Sequence, residues 1–156
     1  MALQTSYPAT MTKGVAGALA TMNNWDAVTK ICETAAGIGF GLAVGRGTND
    51  NGAILGAGAA AGFLGISMRD VTLDPSYSDK IPQYKNLSVL QQGVIWVVCG
   101  DDVQDGQDVT FVASTGVLSS AGTSGSQFLV ANAIWLDTVS SGGLARIRLG
   151  GTLTGA

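Results

Sequence analysis

Histidine is absent from this chain of 156 residues. That removes the side chain most often used as a general base near neutral pH, the Ser-His-Asp and Cys-His nucleophile arrangements, and the usual zinc ligand sets. Cysteine is nearly absent as well. Cys32 and Cys99 are the only thiols; they cannot form a four-thiolate metal site, neither sits in a Cys-x-x-Cys pair, and they do not make the dense framework of a small secreted scaffold. Both are expected to be reduced, with Cys99 a small buried hydrophobe at the end of the run Val94, Ile95, Trp96, Val97, Val98.

Charge is scarce too. Only 12% of residues are Asp, Glu, Lys or Arg, about half the usual share in a soluble domain, so part of the surface is expected to lie against a neighbour. A net charge of −3 with scattered basic residues supplies no Lys/Arg stripe to neutralise phosphates, which argues against direct nucleic-acid binding. Long unbroken apolar runs are also missing. The stretch Lys13 to Ala20 is too short and weak for a signal peptide. The uncharged stretch from Asn51 to Met68 is interrupted by Gly52, Gly56, Gly58, Gly62 and Gly65, and reads as a Gly/Ala loop leading into a strand rather than a membrane helix. A soluble protein with no membrane partner is expected.

What is present is apolar and glycine-rich: 46% hydrophobic residues and 23 glycines. The chain is too apolar for a disordered tail, and too rich in glycine to be mostly helix. Its length fits one domain, residues 1–156. Residues 1–12 mix Thr, Ser and Pro8 with isolated Leu3, Tyr7 and Met11 and read as an extended arm; residues 13–156 form the body. A short helical turn is expected over residues 15–22, ended by Asn23 and Asn24.

From Asp26 the pattern turns to strands. Val28, Lys30 and Cys32 share one parity, and a Gly-interrupted apolar stretch over residues 37–45 precedes a polar tip at residues 46–52. Residues 63–73 predict a strand with Leu64, Ile66 and Met68 on one side, stopped at Asp74 and Pro75. Residues 75–86 form a loop carrying Tyr77, Pro82 and Tyr84, which could be a contact surface. Residues 93–98 and 108–112 are β-branched and aromatic runs expected to pair across residues 100–106. Residues 128–130 and 133–137 offer another strand or two with a bend at Ala131 and Asn132. Arg146, Ile147, Arg148 and Leu149 alternate, placing Ile147 and Leu149 inward. The second half therefore predicts a compact antiparallel barrel or sandwich, its barrel-like part at about residues 88–150.

Few residues suggest chemistry. Asp101, Asp102, Asp105 and Asp108 with Gly106 invite a calcium-loop reading, but Val103 stands where a side-chain oxygen is needed and Val112 where the closing carboxylate should be. A turn with solvated carboxylates is the expectation. The glycines from Gly37 to Gly47 fit no phosphate-binding spacing, and no Gly-Lys-Ser or Gly-Lys-Thr follows. No catalytic residue, cofactor or metal is assigned, and the chain is expected not to be an enzyme.

Four segments carry a resemblance: Thr5-Ser6-Tyr7-Pro8-Ala9-Thr10; the Ala/Gly-rich middle ending Gly62-Phe63-Leu64-Gly65-Ile66; Gly93-Val94-Ile95-Trp96-Val97 with Asp105-Gly106-Gln107-Asp108-Val109; and Ser141-Gly142-Gly143-Leu144-Ala145-Arg146-Ile147-Arg148-Leu149. Through them the chain resembles the structural cement or decoration proteins of tailed-phage heads. The resemblance implies a mainly β protein with little helix: a small antiparallel β-barrel or β-tulip-like body with an extended arm. It also implies a homotrimer on the virion exterior, made in the host cytoplasm and bound across major capsid protein subunits to oppose the pressure of the packaged genome. Expected partner contacts are Leu3, Tyr7, Pro8 and Met11 of the arm, docking by strand addition, with Tyr77 and Tyr84. The alternative is a receptor- or carbohydrate-binding β-domain using Tyr77, Tyr84 and Trp135 as exposed aromatic platforms.

Overall fold

A computed structural model describes residues 12–56, 62–73, 75–77, 79–120 and 126–150. The chain is mainly β, with 51% of it in strands and 2% in helix, as its glycine content and β-branched runs require. The elements are β1 (Asp26–Cys32), β2 (Ile38–Gly39), β3 (Ala43–Arg46), β4 (Gly52–Leu55), β5 (Phe63–Ser67), a 3-10 turn at Pro75–Tyr77, β6 (Lys80–Ile81), β7 (Asn86–Val98), β8 (Asp108–Val112), β9 (Leu118–Ser119), β10 (Gln127–Trp135) and β11 (Leu144–Leu149).

The long strand β7 organises everything else. It pairs with β1, β5 and β11, and two sheets diverge from it. On one side the pairings β1-β4-β3-β5-β7-β1 close into a ring, the five-stranded barrel of the molecule. On the other side the order runs β7-β11-β10-β8-β9, and a bridge from Cys99 to Leu118 returns the last strand to the end of β7. The closed ring therefore lies mostly before residue 88, and the span from 88 to 150 supplies the second sheet.

Serving two sheets requires β7 to change the core it faces. Leu87 and Val89 enter the ring with Cys32, Ile38, Val44, Ala53 and Ile81. Leu90, Ile95 and Val97 enter the second core with Phe111, Leu118, Trp135 and Ile147. The switch falls where the β1 register slips: Ala27 is opposite Leu90 but Asp26 is opposite Gln92. One extra residue on β7 flips the parity of every side chain beyond it. A second bulge has the same effect on β5, where Val44 is opposite Gly65 but Gly45 is opposite Phe63. Leu64 and Ile66, expected on one side, accordingly serve different cores.

Three expectations are corrected. The helical turn expected over residues 15–22 is a single tight turn, in which Ala18 N donates to Val15 O at 3.0 Å, followed by non-helical chain, because β7 offers the segment backbone partners: Gly17 N donates to Trp96 O at 2.8 Å, and Trp96 N donates to Ala18 O at 2.9 Å. Glycine disfavours helix, and pairing to an open strand settles the choice. Residues 93–98 and 108–112 do not pair with each other; β11 and β10 lie between them, because the long 100–106 connection imposes no hairpin register. The strand expected over residues 63–73 ends at Ser67. Other expectations hold. β10 bends at Asn132, which has φ 56°, and its register against β8 shifts between Leu129 and Ile134. β11 alternates with Ala145, Ile147 and Leu149 buried. Cys32 and Cys99 are free and buried. Among the described residues no helix is long and apolar enough to cross a membrane.

Candidate docking surface

A binding surface that lacks catalytic groups must work by shape and rigidity, so the informative features are exposed side chains held by buried or hydrogen-bonded supports. One such region is the end of the ring where β1 finishes. Glu33, the only glutamate in the chain, turns its carboxylate onto the β3–β4 hairpin tip. It accepts from Thr48 N at 2.7 Å, Asn49 N at 3.0 Å and Asn49 Nδ2 at 2.6 Å. These donors, the Thr48 amide first, hold its carboxyl below the ordinary glutamate range. The clamp needs the glycines around it: a Cβ on Gly52 or Gly47 would run into the Glu33 carboxylate. Lys30 Nζ donates to Asp50 O at 3.2 Å from the β1 side, and these residues line a polar cleft of about 210 Å³ with Arg46.

Tyr84 stands beside this clamp. Its amide donates to Cys32 O at 2.7 Å, while Gln83 Nε2 donates to Glu33 O at 3.1 Å, so the corner is tied to the end of β1. Tyr84 holds φ 64°, a left-handed conformation unfavourable for a residue with a Cβ, and the residue is 75% exposed. Tyr77 lies before β6, in the 3-10 turn, and is 38% exposed. Two residues further along the chain, Asp79 pairs with Arg69 at 2.8 Å, and the Arg69 guanidinium lies 5.0 Å from the centre of the Phe40 ring. The two tyrosines flank β6 from opposite ends along the chain. Leu3, Tyr7, Pro8 and Met11 lie outside the described residues. Trp135 is a correction: it is 0% exposed, its Nε1 donates to Ser119 O at 3.4 Å, and its ring fills the second core, so it is no surface platform.

Sequence reasoning missed the apolar residues preceding and within β1: Met22 is 78% exposed, Trp25 45% and Ile31 42%. The signal was there in Trp25, set between Asn24 and Asp26, and in Ile31, which follows Lys30; both lie on the parity opposite to Val28 and Cys32. Glu33 was missed because its partners stand 15 and 16 residues away.

The acidic loop is structural. Asp101 Oδ1 accepts from Ser120 N at 2.9 Å, and Asp102 Oδ1 accepts from Ser141 N at 2.8 Å. These carboxylates knot loops rather than stand free in solvent as expected, because the loops leave amides without ladder partners. Among the described residues no group of three or more His, Cys, Asp or Glu is placed to hold a metal ion. Asp137 accepts two bonds from the Arg146 guanidinium, Nε at 2.9 Å and Nη2 at 2.7 Å. The Arg146 side-chain bonds hold the Asp137 carboxyl below its ordinary range. Arg146 in turn lies 5.6 Å from the Trp96 ring centre, a bracing contact on the outside of β11.

Comparison with known proteins adds three findings. A family model described as "Structural cement protein (E217 gp24/Pam3 gp6)" matches residues 3–150. Among solved structures, a chain of "The capsid of Myoviridae Phage XM1" superposes with a TM-score of 0.69 at 14% identity, covering 98% of this chain and 100% of that one. At that identity the superposition shows a shared fold. No curated protein matches the sequence.

Proposed function

The chain belongs to the phage structural cement protein family, and we propose that it binds the outside of the phage head across major capsid protein subunits and holds them together against the outward pressure of the packaged genome. Family membership makes it a virion structural protein associated with the capsid. The finer reading is that copies of the protein, as homotrimers made in the host cytoplasm, clamp the shell from outside without touching nucleic acid or membrane. The observation that carries this reading is the family match over residues 3–150. The surface is consistent with it: charge is low, Met22, Trp25, Ile31 and Tyr84 are exposed, and the Tyr84 corner is tied to β1 rather than free to adapt.

Many modest contacts repeated over a lattice add up through multivalency, so each copy needs no high affinity of its own. Residues 1–12 are assigned the anchoring role, with Leu3, Tyr7, Pro8 and Met11 laid along a neighbouring strand; Tyr77 and Tyr84 are assigned contacts from the body. The carbohydrate-binding alternative loses one of its three rings with the burial of Trp135.

The test is attachment to heads. Purified protein added to heads that lack it is expected to appear as density on the outer surface in electron cryomicroscopy and to raise the temperature of genome release. Removing residues 1–12 is expected to abolish co-sedimentation with heads while leaving the far-UV circular dichroism unchanged. Density only inside the shell, or full attachment without the arm, overturns the reading.

A further inference from the structure

Two arginines stand on the outward face of β11, and the fold uses only one of them. Arg146 grips Asp137 through Nε at 2.9 Å and Nη2 at 2.7 Å. Arg148, two residues further on, forms no ion pair among the described residues, and its Nε is shielded from water without an acceptor in return. A shielded N–H on a cation is a group that proteins seldom leave unpaired. Arg148 lines a cleft of about 390 Å³, large enough for a side chain of another molecule and its neighbours. The cleft opens where residues 17–20 leave β7. Ala20 N donates to Val94 O at 2.8 Å and Gly150 N donates to Asn132 O at 2.9 Å, and Val94 is opposite Arg148 in the ladder, so the floor is hydrogen-bonded sheet. Two glycines let side chains close on that floor: a Cβ on Gly150 would stand 3.1 Å from the Gln92 side chain, and one on Gly93 would stand 3.0 Å from the Trp25 Cβ. Asn23, Asn24, Gln92 and Leu136 supply neutral walls. Met22 lies in the chain between the lining residues Thr21 and Asn23, and Met22 at 78% and Trp25 at 45% exposure border the cleft with apolar surface.

We propose that this cleft receives an aspartate or glutamate side chain from a capsid protein, with its carboxylate on the Arg148 guanidinium and its apolar neighbours against Met22 and Trp25. One guanidinium matches one carboxylate in charge and in its paired donors. A phosphate group fits less well, because Arg148 is the only charged residue among the described residues lining the cleft. The amide side chains of Asn23, Asn24 and Gln92 offer both donors and acceptors to the backbone on either side of the acidic residue. A carboxylate that draws the guanidinium toward the opening breaks no internal ion pair and gives the stranded Nε an acceptor, whereas the same ligand at Arg146 would have to displace Asp137. The choice of a capsid protein as donor rests on the function proposed above; the carboxylate site itself does not.

The test has two arms. In the first, the purified full chain is titrated with the capped peptide acetyl-Leu-Glu-Leu-amide, with its Gln counterpart and with inorganic phosphate, while NMR follows the Arg148 Nε–H and Trp25 indole N–H signals. The Glu peptide is expected to shift both signals saturably, and to bind about tenfold or more tightly than the Gln peptide or phosphate. Arg148→Gln is expected to abolish the Trp25 response while leaving circular dichroism and the urea midpoint unchanged, because the guanidinium has no partner within the fold. Arg148→Lys keeps the charge but loses the paired donors, and is expected to bind the Glu peptide about tenfold more weakly. In the second arm, Arg148→Glu sets like charges together and is expected to cut co-sedimentation with heads by about tenfold or more. No saturable response to the Glu peptide, equal binding of the Gln peptide or phosphate, or a response that survives Arg148→Gln overturns the carboxylate site, and so does a lowered urea midpoint in that variant, which would assign Arg148 to the fold. Heads that bind Arg148→Glu as well as the wild type overturn the capsid partner. A wild type that never binds heads overturns the attachment reading instead, and the peptide arm still decides the cleft.

Discussion

The ring and the second sheet share β7 but are filled differently. The second core is built on large rings: Trp135 and Phe111 are fully buried, and Phe111 lies 5.4 Å from Phe63 and 5.8 Å from Phe128, centre to centre, in tilted contacts. The ring holds mostly aliphatic and small residues, with Phe40 its one aromatic core member among the described residues. Polar fastenings compensate. The Ser67 hydroxyl accepts from Leu42 N at 3.0 Å and donates to Gly39 O at 2.8 Å, and Thr34 Oγ1 accepts from Leu55 N at 2.9 Å. Aromatic burial carries more stabilisation per residue, whereas hydrogen-bonded fastenings fix where a loop points. The second sheet is thus the stable base, and the ring is the shaped end that carries Tyr84, one of the contacts proposed above.

Equal-minded truncations should break that asymmetry if it is wrong. Trp135→Ala is expected to cost about 3–5 kcal/mol, through lost burial and the cavity left behind, and Val44→Ala in the ring about 2 kcal/mol. Urea unfolding of both variants checks the order. Equal costs would mean that the two cores are matched. The junction between the regions comes next. Gly56 sits at φ 68°, and a Cβ there would collide with Ala113 O, so the loop after β8 can seat against β4 only because Gly56 has no side chain. Gly56→Ala is expected to cost about 2–3 kcal/mol, from left-handed strain and overpacking together. If the two regions were independent, the same change would broaden the unfolding transition into two steps instead of shifting one.

How much of this was legible in the sequence follows the same division. The second half of β7, with β8, β10 and β11, was readable because these are apolar runs or clean alternations, and even the bend at Asn132 showed as an interruption between Val130 and Ala133; the first half of β7, residues 86–92, was not read as strand. The ring was half legible. Its tip at residues 46–52 was marked by polar turn residues, but the Ile38–Gly39 and Lys80–Ile81 ladder is too short to leave a periodic trace, and single-residue bulges on β5 and β7 cannot be seen from alternation alone. The bulges matter most, since each one reassigns a side chain from one core to the other. Tyr84 was picked out as an exposed aromatic. Trp135 was misplaced because a buried indole and a surface indole look alike until its strand neighbours are known.

A smaller effect separates the two regions by pH. The Arg146 side-chain hydrogen bonds lower the Asp137 carboxyl in the folded protein. A depressed carboxyl contributes stability that is fully present above its unfolded value, about 3.9, and is lost as pH falls through the lower folded value. Asp137→Asn is therefore expected to cost about 1 kcal/mol at neutral pH, given that both partners are partly open to solvent. Its stability should also fall less than that of the wild type between pH 4 and pH 2. Chemical unfolding at several pH values provides the check, and parallel curves would remove Asp137 from the account.

The smallest effect should be local, and it tests the hairpin tip of the ring directly. Glu33 is half-buried, and its three bonds fasten the hairpin tip without filling either core. Glu33→Gln keeps the shape but removes the charge that draws two backbone amides and the Asn49 side chain together. The global unfolding midpoint is expected to stay unchanged, while hydrogen exchange at the Thr48 and Asn49 amides accelerates by about tenfold. Lowering the pH of the wild type should produce the same local release, because protonation of a depressed carboxyl removes the same acceptor. A fall in global stability as large as that of Asp137→Asn would mean that the tip supports the ring instead of being presented by it.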